Sequence, residues 1–137
     1  MTSLTLSTVL QLSLLSTGAD TYAEAHKINA ETGRPIVVLV GAEWCPGCRT
    51  MKDSVMPKLA KQGLLKKVAY AQVNTDKEGK LAKNLMRGNS IPQLVMYRKT
   101  EDGWKRYALV GAQSAANIEA FINQGLEPER ATLTAGR

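Results

Sequence analysis

The chain has 137 residues, 44% of them hydrophobic and 22% charged, with a net charge of +6. That is the make-up of one soluble globular domain with a core of its own, not of a disordered or fibrous chain. Aromatic residues are 5% of the total, too few for the stacking platform of a nucleic-acid binder, and the Lys and Arg excess is scattered as on solvated helix faces and loop ends.

From Leu4 to Leu15 the sequence is apolar, rich in Ser and Thr and uncharged. The run is too short to cross a membrane, so no stable membrane insertion is expected. Leu4, Leu6, Leu10, Leu12 and Leu14 all fall on even positions, the period of a half-buried strand, which favours a strand-like or loosely ordered arm. The other reading is a secretory signal remnant ending near Thr17-Gly18-Ala19, although no Lys or Arg precedes the run. The compartment depends on that choice: cytoplasmic, or periplasmic if the run is a signal remnant.

Thr21 followed by Glu24 reads as a capping box opening a helix over 22–31, which Gly33 and Pro35 end. Ile36 to Val40 is apolar without alternation, as in a strand buried on both faces of a sheet. A helix should open near Cys45 and run through Val55, with Pro57 ending or kinking it. Leu59 and Leu64 should pack beneath the connection. Val68 to Asn74 reads as a strand, and Thr75 or Asp76 as the cap of a helix carrying Leu81, Leu85 and Met86.

Gly88-Asn89-Ser90 breaks that helix. Gln93 to Arg98 is a strand, 100–103 a hairpin turn, and Trp104 to Val110 the returning antiparallel strand. Ser114 caps a last helix over 115–124, with Gly125 as its stop. The polar tail from Glu127 has the composition of a disordered end. The chain therefore divides into an arm (1–19), a domain (20–126) and a tail (127–137).

The chemistry concentrates in Cys45-Pro46-Gly47-Cys48, which holds the only two cysteines. A Cys-x-x-Cys pair between an apolar strand and a helix sits where unpaired N–H groups and the helix dipole favour thiolate. The spacing lets the two sulfurs join in one disulfide. An inert staple between neighbouring turns is the alternative, but so short a loop stabilises little through chain entropy. Two cysteines and the lone His26 do not complete a four-ligand zinc set, so no metal is expected.

The order of elements, with the motif at the first strand–helix junction, resembles the thioredoxin fold: an α/β protein with a central mixed β-sheet flanked by helices, here with an extra N-terminal segment. Ala42-Glu43-Trp44-Cys45, Val73-Asn74-Thr75-Asp76, Ile91-Pro92 and Val110-Gly111-Ala112 carry the resemblance, over about 22–126. It implies that Cys45 is the nucleophile and Cys48 the resolving cysteine. It also implies a cis-proline at Pro92, with Ile91 offering backbone hydrogen bonds to an extended substrate. Trp44, Pro46, Gly47, Thr75 and Gly111 would line the same substrate groove. The only redox centre implied is the Cys45–Cys48 disulfide, without other cofactors.

Three departures stand out. Between the cysteines, thioredoxins usually have Gly-Pro, whereas this chain has Pro46-Gly47. At the positions of the family's buried aspartate and its facing lysine stand Leu39 and Gln72. Both charges are lost together, which is coherent because a buried lysine without its partner is costly. Cys48 must then pass its proton to water, to Cys45 or to another group. The longer stretch from Cys48 to Pro57 is more like the thioredoxin-like domains of bacterial thiol:disulfide interchange proteins.

The resemblance implies a thiol–disulfide oxidoreductase, weakly favoured as a reductase, working as a monomer on protein disulfides with an upstream thiol electron donor. The alternative is a protein-binding or chaperone-like module that uses the proline groove, with redox chemistry secondary.

Overall fold

The structure is a computed structural model that describes residues 21–127. The Leu4–Leu15 run and the tail beyond 127 lie outside the described residues. Helix α1 (Tyr22–Thr32) starts with the capping box: the Glu24 N–H donates to Thr21 Oγ1 (3.2 Å) and the Thr21 N–H to Glu24 Oε2 (3.0 Å). It stops where Gly33 turns left-handed at φ 76°, a conformation that costs a glycine little.

Strand β1 (Ile36–Gly41) is the centre of a four-stranded sheet in the order β2-β1-β3-β4. Strand β2 (Ala69–Asn74) runs parallel to it, while β3 (Gln93–Thr100) and β4 (Gly103–Val110) form the antiparallel hairpin. Burial of β1 on both faces explains its unalternating sequence. Val37 and Leu39 pack with Met51, Met56, Leu59 and Ile118 on one face. Ile36, Val38 and Val40 pack with Ala25, Ala71 and Leu85 on the other.

The polypeptide after the cysteines differs from the expected single helix ended by Pro57. Helix α2 (Pro46–Thr50) passes into a π-helical turn (Met51–Val55) and then helix α3 (Met56–Lys61) without a break. The Met56 N–H bonds to the Met51 carbonyl, five residues back, so the ladder is reset just ahead of Pro57. Proline then occupies the first turn of α3, where its missing N–H removes little. Leu59 and Leu64 are buried, the latter in a short 3₁₀ turn (Leu64–Lys67).

Neither Thr75 nor Asp76 caps helix α4 (Gly79–Leu85), which has Glu78 at its N-cap and no side-chain capping bond there. The side chain of Asn74 takes the turn instead, accepting the N–H groups of Asp76 (2.8 Å) and Lys77 (3.2 Å). Helix α5 (Ala115–Leu126) is capped by Ser114 and runs past Gly125. That glycine is a buried site of close approach to Met96, not a stop. Trp104 is 48% exposed and lies edge-on to His26, with ring centroids 6.0 Å apart.

Candidate active site

Three chain segments meet at the C-terminal end of β1. The first is the turn into α2. Cys45 is the N-cap residue, with extended backbone (φ −89°, ψ 115°), and its Sγ accepts the Cys48 N–H at 3.3 Å. Pro46 at the first helical position pre-sets the φ that the helix needs. Both thiols are unbridged and buried, Cys45 at 7% and Cys48 at 4% relative exposure. Cys45 is the more exposed of the two, by a small margin, with the loop before β3 against its sulfur.

That loop is the second segment. The Cys45 thiol points at the Ile91 carbonyl oxygen, 3.9 Å away. The Ile91–Pro92 peptide bond is cis. The Pro92 carbonyl in turn accepts the Gly111 N–H at 2.8 Å, which brings the third segment, the end of β4, to the same place. Gly47 fits under this junction because it lacks a side chain. A Cβ there would stand 3.3 Å from Ala112 Cβ and 3.5 Å from Pro92 Cδ. Cys45, Pro46, Gly47, Ile91, Pro92 and Gly111 are thus gathered around one surface.

Trp44 and Thr75 lie to one side of it. Trp44 is 67% exposed, with its indole N–H donating to Asp76 Oδ2 at 3.0 Å. The Thr75 N–H is bound to the Gly41 carbonyl at 2.9 Å, at the end of β1. Glu43 is exposed and paired with Lys52 at 3.0 Å. The hydrogen bond and the charge of that lysine hold its carboxyl below the usual range.

Cys48 sits deeper. Burial, followed by its contact with Cys45, pushes its thiol up to about 11. On its other side opens a cleft of about 230 Å³, whose inner wall includes Leu39, Gly41, Cys48, Gln72 and Val73. Leu39 and Gln72 are direct partners in the β1–β2 register, and the Gln72 amide donates to the Tyr70 hydroxyl at 2.9 Å. Neither can ionise to accept a proton from Cys48 at neutral pH.

Two residues went unnoticed in the sequence. Gly41 ends β1 directly beneath Cys48: a Cβ on it would lie 2.8 Å from Cys48 Sγ. A glycine closing an apolar strand just before a Cys-x-x-Cys was the available signal. The other is Gln93, fully buried at the start of β3. Its amide donates to the carbonyls of Arg87 (2.9 Å) and Ser90 (2.9 Å), and its oxygen accepts the Arg87 N–H (3.3 Å). A polar side chain inside the sheet thereby clamps the loop that faces Cys45.

Gln93→Leu removes these three bonds between a fully buried side chain and the Arg87–Ser90 loop, so stability should fall by about 1–3 kcal/mol. Urea denaturation measures this. A midpoint equal to that of the parent would mean that the loop is held by other contacts.

A family model described as a thioredoxin-like domain matches residues 22–126. The chain is similar to a thioredoxin from Thermus thermophilus, with 25% identity, 76% of this chain and 82% of that one covered, and a TM-score of 0.65. It is also similar to the thioredoxin of Trichomonas vaginalis, at 26% identity, 78% and 93% coverage, and a TM-score of 0.60. The thioredoxin of Fasciola hepatica aligns at 29% identity, 77% and 94% coverage, and a TM-score of 0.56. The mixed sheet flanked by helices is the thioredoxin fold. No curated protein matches the sequence at a significant level.

Proposed function

The chain belongs to the thioredoxin-like domain family, and from that premise we propose that it reduces protein disulfides through a reversible Cys45–Cys48 disulfide. The general class, thiol–disulfide oxidoreductase, goes with this fold bearing a Cys-x-x-Cys pair.

The observation that carries the reading is the asymmetry of the two sulfurs. Cys45 caps the helix with the Cys48 N–H on its sulfur, next to the Ile91 carbonyl. Cys48 lies behind it as a thiol held at about 11. A sulfur so fully protonated at neutral pH does not open the reaction, so Cys45 attacks the substrate disulfide. The resulting mixed disulfide joins Cys45 to one substrate sulfur and releases the other as a thiol. Cys48 then attacks Cys45, the substrate's second thiol leaves, and the protein is left oxidised.

An upstream thiol donor restores the dithiol. Ile91 and Pro92 hold the substrate backbone, with Pro46, Gly47 and Gly111 shaping the groove and Trp44 and Thr75 its edge. No second redox centre enters this scheme.

The same asymmetry supports the reducing direction. A strong oxidant is one whose reduced form is stabilised, as a thiolate is by its surroundings. Burial of Cys48 works the other way, and no cation among the described residues hydrogen-bonds its sulfur. We therefore place the protein with the reductants. The exposed Trp44 favours the second reading, a module that holds partner proteins through its groove.

Equilibration of the Cys45–Cys48 pair against glutathione tests both. A reductase should have a potential near or below about −250 mV, and a value above about −180 mV would make it an oxidant or isomerase. If no reversible intramolecular disulfide forms, the binding module becomes the leading account.

A further inference from the structure

On the exchange mechanism proposed above, Cys48 must lose its proton as it attacks Cys45, and no side-chain base among the described residues bonds its sulfur, although the Glu43 and Glu78 carboxylates line the same cleft. In the mixed disulfide the Cys45 sulfur is bonded to substrate and cannot accept a proton. Leu39 and Gln72, beside it on the cleft wall, carry no basic group. The Glu43 carboxylate at the mouth is bound to Lys52 and is a weakened base. The cleft itself reaches Cys48, because Gly41 has no side chain where a Cβ would touch the sulfur.

The rim of the cleft has a sign. Arg49, Lys52 and Lys77 stand there against Glu43 and Glu78. The Glu43–Lys52 pair cancels, so Arg49 and Lys77 outnumber the remaining Glu78 and the mouth favours a small anion.

We propose that this cleft admits a small oxyanion base, of the hydrogen phosphate or carboxylate class, which takes the proton of Cys48 during resolution. The S–H bond of Cys48 breaks and its proton passes to the oxyanion. The Cys48 sulfur bonds to Cys45 Sγ, and the pair of electrons of the Cys45–substrate S–S bond leaves on the substrate sulfur. The substrate gains the two electrons that the dithiol loses. The anion leaves protonated and is not otherwise changed. The protein thus borrows from solution the base that its interior lacks.

The test uses the full chain and Ellman's reagent. Thionitrobenzoate is released in two phases: attack by Cys45, then resolution by Cys48. At constant neutral pH and ionic strength, the second phase should quicken at least about fivefold between about 2 and about 200 mM phosphate. Imidazole, a base of similar strength without negative charge, should give a slope at least about threefold smaller. Lys77→Gln, which removes a rim charge without adding a base, should lower the phosphate slope and leave the rate extrapolated to zero buffer unchanged.

A second phase that is flat in phosphate overturns the inference. So do equal slopes for the two buffers together with an unmoved Lys77→Gln variant, because the proton then passes to any base without a site. Absence of the second phase would instead overturn the exchange mechanism itself.

Discussion

Cys48→Ala should turn the protein from a turnover catalyst into a covalent trap. Catalytic disulfide reduction should fall by about a thousandfold or more, while a substrate disulfide accumulates as a stable adduct on Cys45. The geometry makes this variant informative. The hydrogen bond to Cys45 Sγ from the backbone N–H of residue 48 survives the substitution. The place that the thiol vacates lies against Gly41 and the cleft, where a smaller side chain meets no clash.

Attack therefore proceeds and resolution cannot. Intact-mass measurement after exposure to a protein disulfide should show one substrate chain per molecule, removed by dithiothreitol. Cys45→Ser should show neither adduct nor turnover. An adduct on Cys45→Ser, or sustained turnover by Cys48→Ala, would reverse the roles given to the two sulfurs. A pure binding module would keep its affinity for partners in both variants.

The second large effect is on pH. The Cys48 thiol is held at about 11, chiefly by burial and next by its contact with Cys45. With the pKa raised, the thiolate is the minor form throughout the neutral range. Its share grows about tenfold for each pH unit gained below 11. Resolution should accelerate in step, by about three orders of magnitude between pH 6 and pH 9 once rates are extrapolated to zero buffer. Stopped-flow release of the second thionitrobenzoate reads it directly. A rate independent of pH over that range would mean that an internal group already holds the proton of Cys48. The formation of the mixed disulfide is a separate phase, so the two steps are not confused.

Much of the frame was legible because it is written in local chemistry. The capping box at Thr21 and Glu24, the uninterrupted run in β1 and the hairpin around Glu101-Asp102 each declare themselves within a few residues. The Cys-x-x-Cys at a strand–helix junction did the same for the class of chemistry. What stayed hidden depends on contacts between distant segments. Gln93 reads as one more strand residue until the Arg87–Ser90 loop is folded over it. Gly41 reads as a strand terminus until Cys48 is placed on it. Asn74 outcompeted Thr75 and Asp76 for the turn because its side chain already stood at the strand end, aimed at the next two N–H groups. The burial of Cys45 likewise needed the loop at Ile91, which comes 46 residues later.

The π-helical turn at Met51–Val55 also changes how the region around the dithiol tolerates alterations in chain length. Met51 and Met56 are five apart, a spacing that an α-helix would splay to different sides, yet both are buried in one cluster with Leu59. The wide turn absorbs the surplus residue, so α2 and α3 differ in phase along one rod. Cys48 is set by the first half, and anchorage in the core by the second. An insertion or deletion that would rotate a uniform helix, and the resolving sulfur with it, can here be taken up at a joint between the two. In mechanical terms, the turn is a fixed offset in the rod, which sets the phase of its second half against that of the first.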